Sequence, residues 1–283
     1  MSDDAHVVVF GIDGLRHDMI RAHAPHLTRL IDTGYYATST LPYLPTVSGP
    51  GWASTVTGVW PEKHGIWGND FTGHRLVDYP DFLTRLESVD PGARTYAAVD
   101  WDPLGAAACG GPMITNSGRR FVLADCFDTG DRQVAADAAS HLRSESPDAS
   151  FVYFGQIDEA GHAFDSVGPQ YTGAITTVDG YVEQVLAAVR SRPRYDAEGW
   201  LFLLVTDHGH RPEGDHGGDS LLERSTFVSA WGEGITRTRP AMQPHNVDVA
   251  VTALTHLGVP IDPSWHLDGH PLPLGGPSRT TLP

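Results

Sequence analysis

Basic residues are scarce in this chain: 19 Lys and Arg stand against 35 Asp and Glu over 283 residues, a formal charge of −16. Without a basic field to draw in phosphate polymers, nucleic-acid binding and docking on anionic membranes are not expected. No apolar run approaches the about 20 residues that a membrane span requires. The opening Met-Ser-Asp-Asp is acidic where a signal peptide is basic, and Val7-Val8-Val9-Phe10 is too short for its apolar segment, so a cytoplasmic location is expected. Cysteine is nearly lacking too. Cys109 and Cys126 are the only two, which is no disulfide framework; they can pair or stay free, and free thiols are the preferred reading. Internal repeats and low-complexity tracts are also missing.

What remains has the composition of a folded protein. Hydrophobic residues make up 40% and aromatics 9%, ample for a packed core and too much for a disordered chain. At roughly 100–200 residues per domain, the length allows one large domain or two small ones. Nothing resembles a linker between halves, so a single domain over 1–283 is expected, with the irregular region 69–130 as a minor lobe over the sheet. Apolar runs at 6–12, 94–99, 150–157 and 200–206 read as strands; being continuous rather than alternating, they read as buried on both faces. Helical patterns fall at 16–33, 131–144, 170–190 and 246–257, the first with Gly34 just past its end as a C-cap candidate. Gly and Pro gather at 41–51, 103–112, 211–218 and from 260 onward, which read as loops. The alternation predicts an α/β fold, a mostly parallel central sheet with helices on both faces.

Three of the strand patterns run into an acid: Val-Val-Val-Phe-Gly-Ile-Asp13, Phe-Val-Tyr-Phe-Gly-Gln-Ile-Asp158 and Leu-Phe-Leu-Leu-Val-Thr-Asp207. A fourth, Tyr-Ala-Ala-Val-Asp100, does likewise. In open parallel sheets, ligands bind outside the carboxyl ends of the strands, so such acids meet in one crevice. Like charges that close repel and raise one another's pKa, and a bound cation reverses the sign of that problem. Taken singly, a strand-terminal Asp as readily caps the following helix. The chain holds 26 Asp, nine Glu and 15 His, and most of these belong to surface and turns. Position singles out a few. His162 follows Asp158 at i+4, on the same face if the segment is helical. His208 follows Asp207 directly, and His216 lies in Asp215-His216-Gly217-Gly218-Asp219. Asp13, Asp158, Asp207, His162, His208 and His216 form a mixed nitrogen and oxygen set suited to Zn²⁺, with Mn²⁺ or Fe as alternatives. His210 is a candidate support behind them, whereas His64, His245, His256, His266 and His270 read as structural or solvated.

The segment from Leu44 to Gly58 looks like a loop entering a short helix, with Pro50 in its first turn and Gly58 at its end. Ser48 then sits at a helix N-terminus, where unpaired N–H groups and the dipole favour negative charge; the plain alternative is an N-cap serine. Trp52, Trp67, Phe71 and Trp101 include possible walls of a pocket, although core packing accounts for most such residues.

Gly11-Ile12-Asp13-Gly14, Ser48-x-Pro50 with Thr57-Gly58, His64-Gly65-Ile66, Asp158-x3-His162, Thr206-Asp207-His208-Gly209 and His216-Gly217 together resemble the alkaline phosphatase superfamily. Within it, the chain is most similar to the type I phosphodiesterase/nucleotide pyrophosphatase group, over about residues 6 to 260. The resemblance implies that Asp13, Asp207 and His208 match the ligands of one metal, which also holds the nucleophile, and that Asp158, His162 and His216 match those of the other. Ser48 falls at the nucleophile position, with Thr46 as the alternative. Asn69 matches the asparagine that contacts a phosphoryl oxygen. The implied reaction is in-line phosphoryl transfer at two divalent ions through a covalent phosphoserine. Three carboxylates against two divalent ions leave the site about +1, a sign that holds a small anionic phosphate-containing substrate. Asn69 and backbone N–H groups near Ser48 are expected to bind its oxygens. Asn69 in place of a bidentate Arg favours phosphodiesters or nucleotide pyrophosphates. A phosphomonoesterase or phosphonate hydrolase on the same residues is the alternative, and the complete ligand set disfavours a non-enzymatic metal-binding protein. Two departures matter. Larger relatives carry a long insertion between the Asp-His pair and the final histidine, where only 211–215 intervene here. Trp52 stands where sulfatases have the arginine of their modification motif, so formylglycine-dependent sulfate hydrolysis is not expected.

Overall fold

The computed structural model describes residues 4–107, 110–237 and 243–274. Cys126 is exposed and free; Cys109 lies outside the described residues. Seven strands, β1 (Ala5–Ile12), β2 (Tyr35–Thr40), β3 (Thr95–Val99), β4 (Arg119–Phe121), β5 (Ala149–Phe154), β6 (Gly199–Val205) and β7 (Ser225–Gly232), form one sheet in the order β2-β7-β6-β1-β5-β3-β4. The block from β6 through β1, β5 and β3 to β4 is parallel, while β7 runs antiparallel to both β6 and β2. The expected mostly parallel α/β sheet is therefore present, with an antiparallel edge that the sequence reading did not include.

The continuous apolar runs have a simple cause. Along β1, Val7 and Val9 enter one hydrophobic cluster and Val8, Phe10 and Ile12 the other, so successive side chains serve opposite faces of a sheet covered on both. Helices Ser48–Thr57, Phe82–Val89 and Val247–His256 supply Trp52, Leu83, Leu86 and Leu254 to the first cluster. Helices Pro25–Thr33, Phe127–Ser144 and Pro169–Arg190 supply Leu27, Val134, Val178 and Val182 to the second. No helix among the described residues is long and apolar enough to cross a membrane.

The expected helix over 16–33 is broken. A 3-10 turn at His17–Met19 and a short helix Ile20–His23 stop at Ala24, and a new helix begins at Pro25. Proline clashes with a helical residue before it, and Ala24 accordingly takes φ −126° and ψ 79°. Gly34 does close the second piece, its N–H bonded to the Leu30 carbonyl. The strand expected over 150–157 ends at Phe154, and Asp158 stands in the helix Gln156–Ala163 that follows, which puts His162 one turn further along the same face. Within 69–130, Thr95–Val99 and Arg119–Phe121 join the sheet through β5.

The three central strands set up one crevice. Gly11 pairs with Val205 and Ile12 with Phe154, so β6, β1 and β5 end side by side and Asp13, Asp207 and Asp158 leave them at the same edge. Gly11 also makes room for an aromatic beneath that edge: a Cβ there would lie 2.7 Å from Trp52 Cζ3 and 2.8 Å from Cη2. Gly11→Ala is expected to destabilise the fold by about 1–3 kcal/mol through overpacking against Trp52. Urea unfolding that gives an unchanged midpoint would show that the indole has room to move.

Candidate functional site

Asp13, Asp207, His208 and Ser48 meet at the ends of β1 and β6 and the start of helix Ser48–Thr57. His208 Nε2 lies 3.3 Å from Asp207 Oδ2 and 3.5 Å from Asp13 Oδ1, and Ser48 Oγ lies 3.2 Å from His208 Nε2 and 3.4 Å from Asp13 Oδ1. A divalent ion bound tetrahedrally at about 2.0–2.1 Å spaces its ligand atoms roughly 3.3 Å apart. All four separations match that edge. Asp207 Oδ1 accepts the Gly14 N–H at 3.2 Å, while its Oδ2 is buried without a partner among the described residues. A buried carboxylate oxygen left bare on the side facing His208 and Asp13 fits the role of a cation ligand. Ser48 is the first residue of its helix rather than its cap, and its hydroxyl turns to Asp13 and His208 instead of the backbone.

Asp158, His162 and His216 form the second cluster. His162 Nε2 is 3.2 Å from Asp158 Oδ2 and 3.0 Å from His216 Nε2, and His216 Nε2 is 3.4 Å from Asp158 Oδ1. These edges again suit one ion. The clusters adjoin, with the His208 and His216 rings stacked at 3.7 Å between centroids. All six sequence-predicted ligand residues and Ser48 are thus gathered in one place.

Neighbouring groups fix which atoms face inward. Asp13 Oδ2 accepts Trp52 Nε1–H at 2.8 Å and the Tyr153 hydroxyl at 2.6 Å, leaving Oδ1 toward Ser48. His208 Nδ1–H donates to the Gly209 carbonyl at 3.1 Å and His216 Nδ1–H to the Thr46 carbonyl at 2.7 Å, so both rings present an Nε2 lone pair. His162 Nδ1 faces Asp215 Oδ1 at 3.3 Å. Thr46, the alternative nucleophile, is otherwise engaged: its hydroxyl donates to the Gly218 carbonyl and accepts the Gly217 N–H.

The charges without a metal are poorly matched. Burial, then repulsion from Asp158, pushes Asp13 up to about 7. Burial and the Asp13 charge hold Asp207 well above the usual carboxylate range. Burial opposes ionisation of Asp158 as well, yet hydrogen bonds from His162 and His210 hold it well below that range. The Asp158 hydrogen bond raises His162 to about 9, whereas burial and then His216 depress His208. Two carboxylates that resist ionisation beside a third that is ionised call for positive charge in the crevice.

Some expectations need correction. Asp100 leaves β3 as a strand-terminal acid but joins neither cluster; burial, then Asp131, raises it to about 9. The strand that carries it is separated from β1 by β5, so its end opens beside helix Phe127–Ser144 instead of the central crevice. Backbone donors near Ser48 are fewer than expected: the Gly49 N–H is taken by Asn69 Oδ1 at 2.8 Å, and Pro50 has none. That bond ties Asn69 to the first turn of the Ser48 helix and leaves its amide NH₂ as the available donor. His64 is structural, accepting the Ile66 N–H and donating to Ser54. Trp52 is fully buried and Phe71 nearly so, whereas Trp67 is 45% exposed. Trp52 and Tyr153 are the functional contacts that the sequence did not reveal.

A sequence model of type I phosphodiesterases and nucleotide pyrophosphatases matches residues 7–257. An uncharacterized pyrophosphatase/phosphodiesterase of Schizosaccharomyces pombe is 26% identical over 223 residues, covering 74% of this chain and 46% of that protein. Human ectonucleotide pyrophosphatase/phosphodiesterase family member 1 is 22% identical over 219 residues, 71% of this chain and 23% of its own length. The chain thus spans about half or less of these curated relatives. Among solved structures, human ectonucleotide pyrophosphatase/phosphodiesterase 5 superposes with a TM-score of 0.70 at 13% identity, covering 94% of this chain and 97% of that one. A 2-O glycosaminoglycan sulfatase gives 0.77 at 14% identity, covering 95% and 73%. The fold is therefore that of the alkaline phosphatase superfamily, and the chain belongs to the type I phosphodiesterase/nucleotide pyrophosphatase family.

Proposed function

We propose that this protein hydrolyses phosphate esters at two divalent ions, with Zn²⁺ as the metal best suited to the donors and Ser48 as the nucleophile. The observation that carries the reading is that Ser48 Oγ stands at ligand-edge distance from His208 and Asp13, beside a bare Asp207 oxygen. Asp13, Asp207 and His208 would hold one ion with Ser48, and Asp158, His162 and His216 the other. The ions supply positive charge that makes the serine hydroxyl and a water acidic and offsets charge on the phosphoryl group. Everything else falls to the chain. Ser48 Oγ forms a bond to phosphorus as the bond to the leaving oxygen breaks, and water later cleaves the serine ester, releasing the phosphoryl product. The helix pins Ser48 at its first residue, and all ten residues from 48 to 57 are buried, so the attacking atom is held before substrate arrives. With Oδ1 held by the Gly49 N–H, the Asn69 amide NH₂ would donate to a phosphoryl oxygen, worth on the order of 3 kcal/mol in the transition state.

Small phosphodiesters or nucleotide pyrophosphates are the proposed substrates. The family supports this, as does a murine relative of the same fold, TM-score 0.65, solved as an inactive variant in complex with AMP. Asn69 also presents one amide where a dianionic monoester would be matched better by an Arg fork.

Ser48→Ala is expected to lower kcat on bis-p-nitrophenyl phosphate by about a thousandfold or more while two ions stay bound. Exhaustive chelation should abolish turnover, and Zn²⁺ should restore it. Faster turnover of p-nitrophenyl phosphate than of the diester would overturn the diesterase assignment. Activity indifferent to both the serine and the chelator would overturn the mechanism.

The raised groups fix the pH behaviour of the metal-free protein. Asp13, raised to about 7, contributes stability that is complete below the unfolded value of 3.8 and lost as pH rises through about 7. His162, raised to about 9, contributes stability that is complete below 6.5 and lost as pH rises through about 9. Burial depresses His208, His216 and His64, whose contribution rises with pH through the unfolded histidine value of 6.5. The metal-free Tm is therefore expected to fall only above that window, from about pH 7.5 to 9, and saturating Zn²⁺ should remove that slope. Because the ion displaces these protons, Zn²⁺ uptake at pH 6.5 should release them, measurable by calorimetry in buffers of different ionisation enthalpy. Proton release of zero would contradict the assignment of Asp13 and His162 as ligands.

A further inference from the structure

His210 lies two residues beyond His208, fully buried, in a slot that two glycines keep open. A Cβ on Gly14 would stand 2.6 Å from His210 Nε2, and one on Gly161 would stand 2.5 Å from Cε1 and 2.7 Å from Nδ1. Gly161 sits inside helix Gln156–Ala163, where glycine is about 1 kcal/mol less favourable than alanine. What that position gains is room for the imidazole.

The ring makes one short polar contact: Nε2 to Asp158 Oδ1 at 2.7 Å. Asp158, His208, His210 and His216 each offer an atom within 4.8 Å of the others, so direct metal binding by His210 has to be weighed. The distance decides. Two ligands of a tetrahedral ion at about 2.0–2.1 Å stand roughly 3.3 Å apart, as the pairs within the two clusters do, whereas 2.7 Å is a hydrogen bond. His210 Nδ1 is buried with no partner among the described residues. A proton there would be a buried donor with nothing to receive it, whereas on Nε2 it reaches the carboxylate. His208 and His216 carry the opposite tautomer, with Nδ1–H bonded to carbonyls.

We propose that His210 is a positioning residue for the second metal site: as the Nε2–H tautomer it donates to Asp158 Oδ1 and turns Oδ2 toward His162, without itself binding the ion. This inference rests on the two-metal reading above. Removing an outer hydrogen-bond partner of a metal ligand lowers affinity by about 10–100-fold, and that loss should fall on one site only.

Two measurements test it, neither relying on turnover. In protein labelled with ¹⁵N-histidine and loaded with ¹¹³Cd²⁺, cadmium–nitrogen coupling is expected at His162, His208 and His216 and not at His210, whose ring should show the Nε2–H pattern. Coupling at His210, or an Nδ1–H pattern, would overturn the proposal without mutation. In competition of the metal-free protein with a chromophoric Zn²⁺ chelator, His210→Met, which fills the slot without a donor, should weaken one of two sites about 10–100-fold. His210→Gln, which can return an N–H, should recover most of that loss. Wild-type affinities at both sites in His210→Met, or equal loss at both with a lowered metal-free Tm, would show that the ring only fills space. Wild-type protein that takes up no divalent ion would overturn the two-metal reading itself, and this inference with it.

Discussion

Three acids leave three adjacent parallel strands at the same edge, and the electrostatic consequence organises the rest of the molecule. Asp13 and Asp207 are almost wholly buried, and Asp158 is close enough to raise them both. A fold that collects carboxylates in a dry crevice is tolerable in two ways: protons neutralise them, or cations do. The raised Asp13 and Asp207 show the first solution, and the ligand-edge spacing with its bare Asp207 oxygen shows readiness for the second. The sheet order enforces the choice. β6, β1 and β5 are neighbours because their two-sided apolar runs demand the interior, and their ends therefore coincide.

Around that crevice, the hydrogen bonds are arranged by direction. Trp52 and Tyr153 occupy the outer oxygen of Asp13, the Gly14 N–H occupies one oxygen of Asp207, and carbonyl groups take the Nδ1 protons of His208 and His216. Each contact removes an alternative orientation, so inward-facing lone pairs are set before any ion or substrate arrives. The aromatic pair also links the crevice to the core, since Trp52 packs edge-on against both Phe151 and Tyr153.

Much of this was legible in the sequence, for identifiable reasons. Asp13 and Asp207 stand where an unbroken apolar strand stops, and the i+4 spacing of Asp158 and His162 survives the shift of that segment from strand to helix. Asp100 shows the limit of the same signal. It too ends a buried strand, but strand order is a property of the whole sheet, and the local sequence does not say that β5 intervenes. β2 and β7 escaped notice because Tyr35–Thr40 and Ser225–Gly232 mix serine and threonine with apolar residues and pair only with distant partners. The break at Ala24 was readable, since Pro25 forbids a continuous helix, but the apolar periodicity on either side masked it. The support given by Trp52 and Tyr153 was not readable at all, because it joins Asp13 to positions 39 and 140 residues away.

The helix that carries Ser48 is buried along its entire length, from Ser48 to Thr57. A segment with no solvent face has no neutral positions, so substitutions there register first as lost folding and only afterwards as altered chemistry. Descendants of this chain that acquire new substrates must therefore do so elsewhere. The loops at 65–70 and 211–220 reach the crevice through Asn69 and His216 yet keep exposed positions such as Trp67 and Glu213. Tolerance to substitution is therefore expected at the rim rather than along this helix.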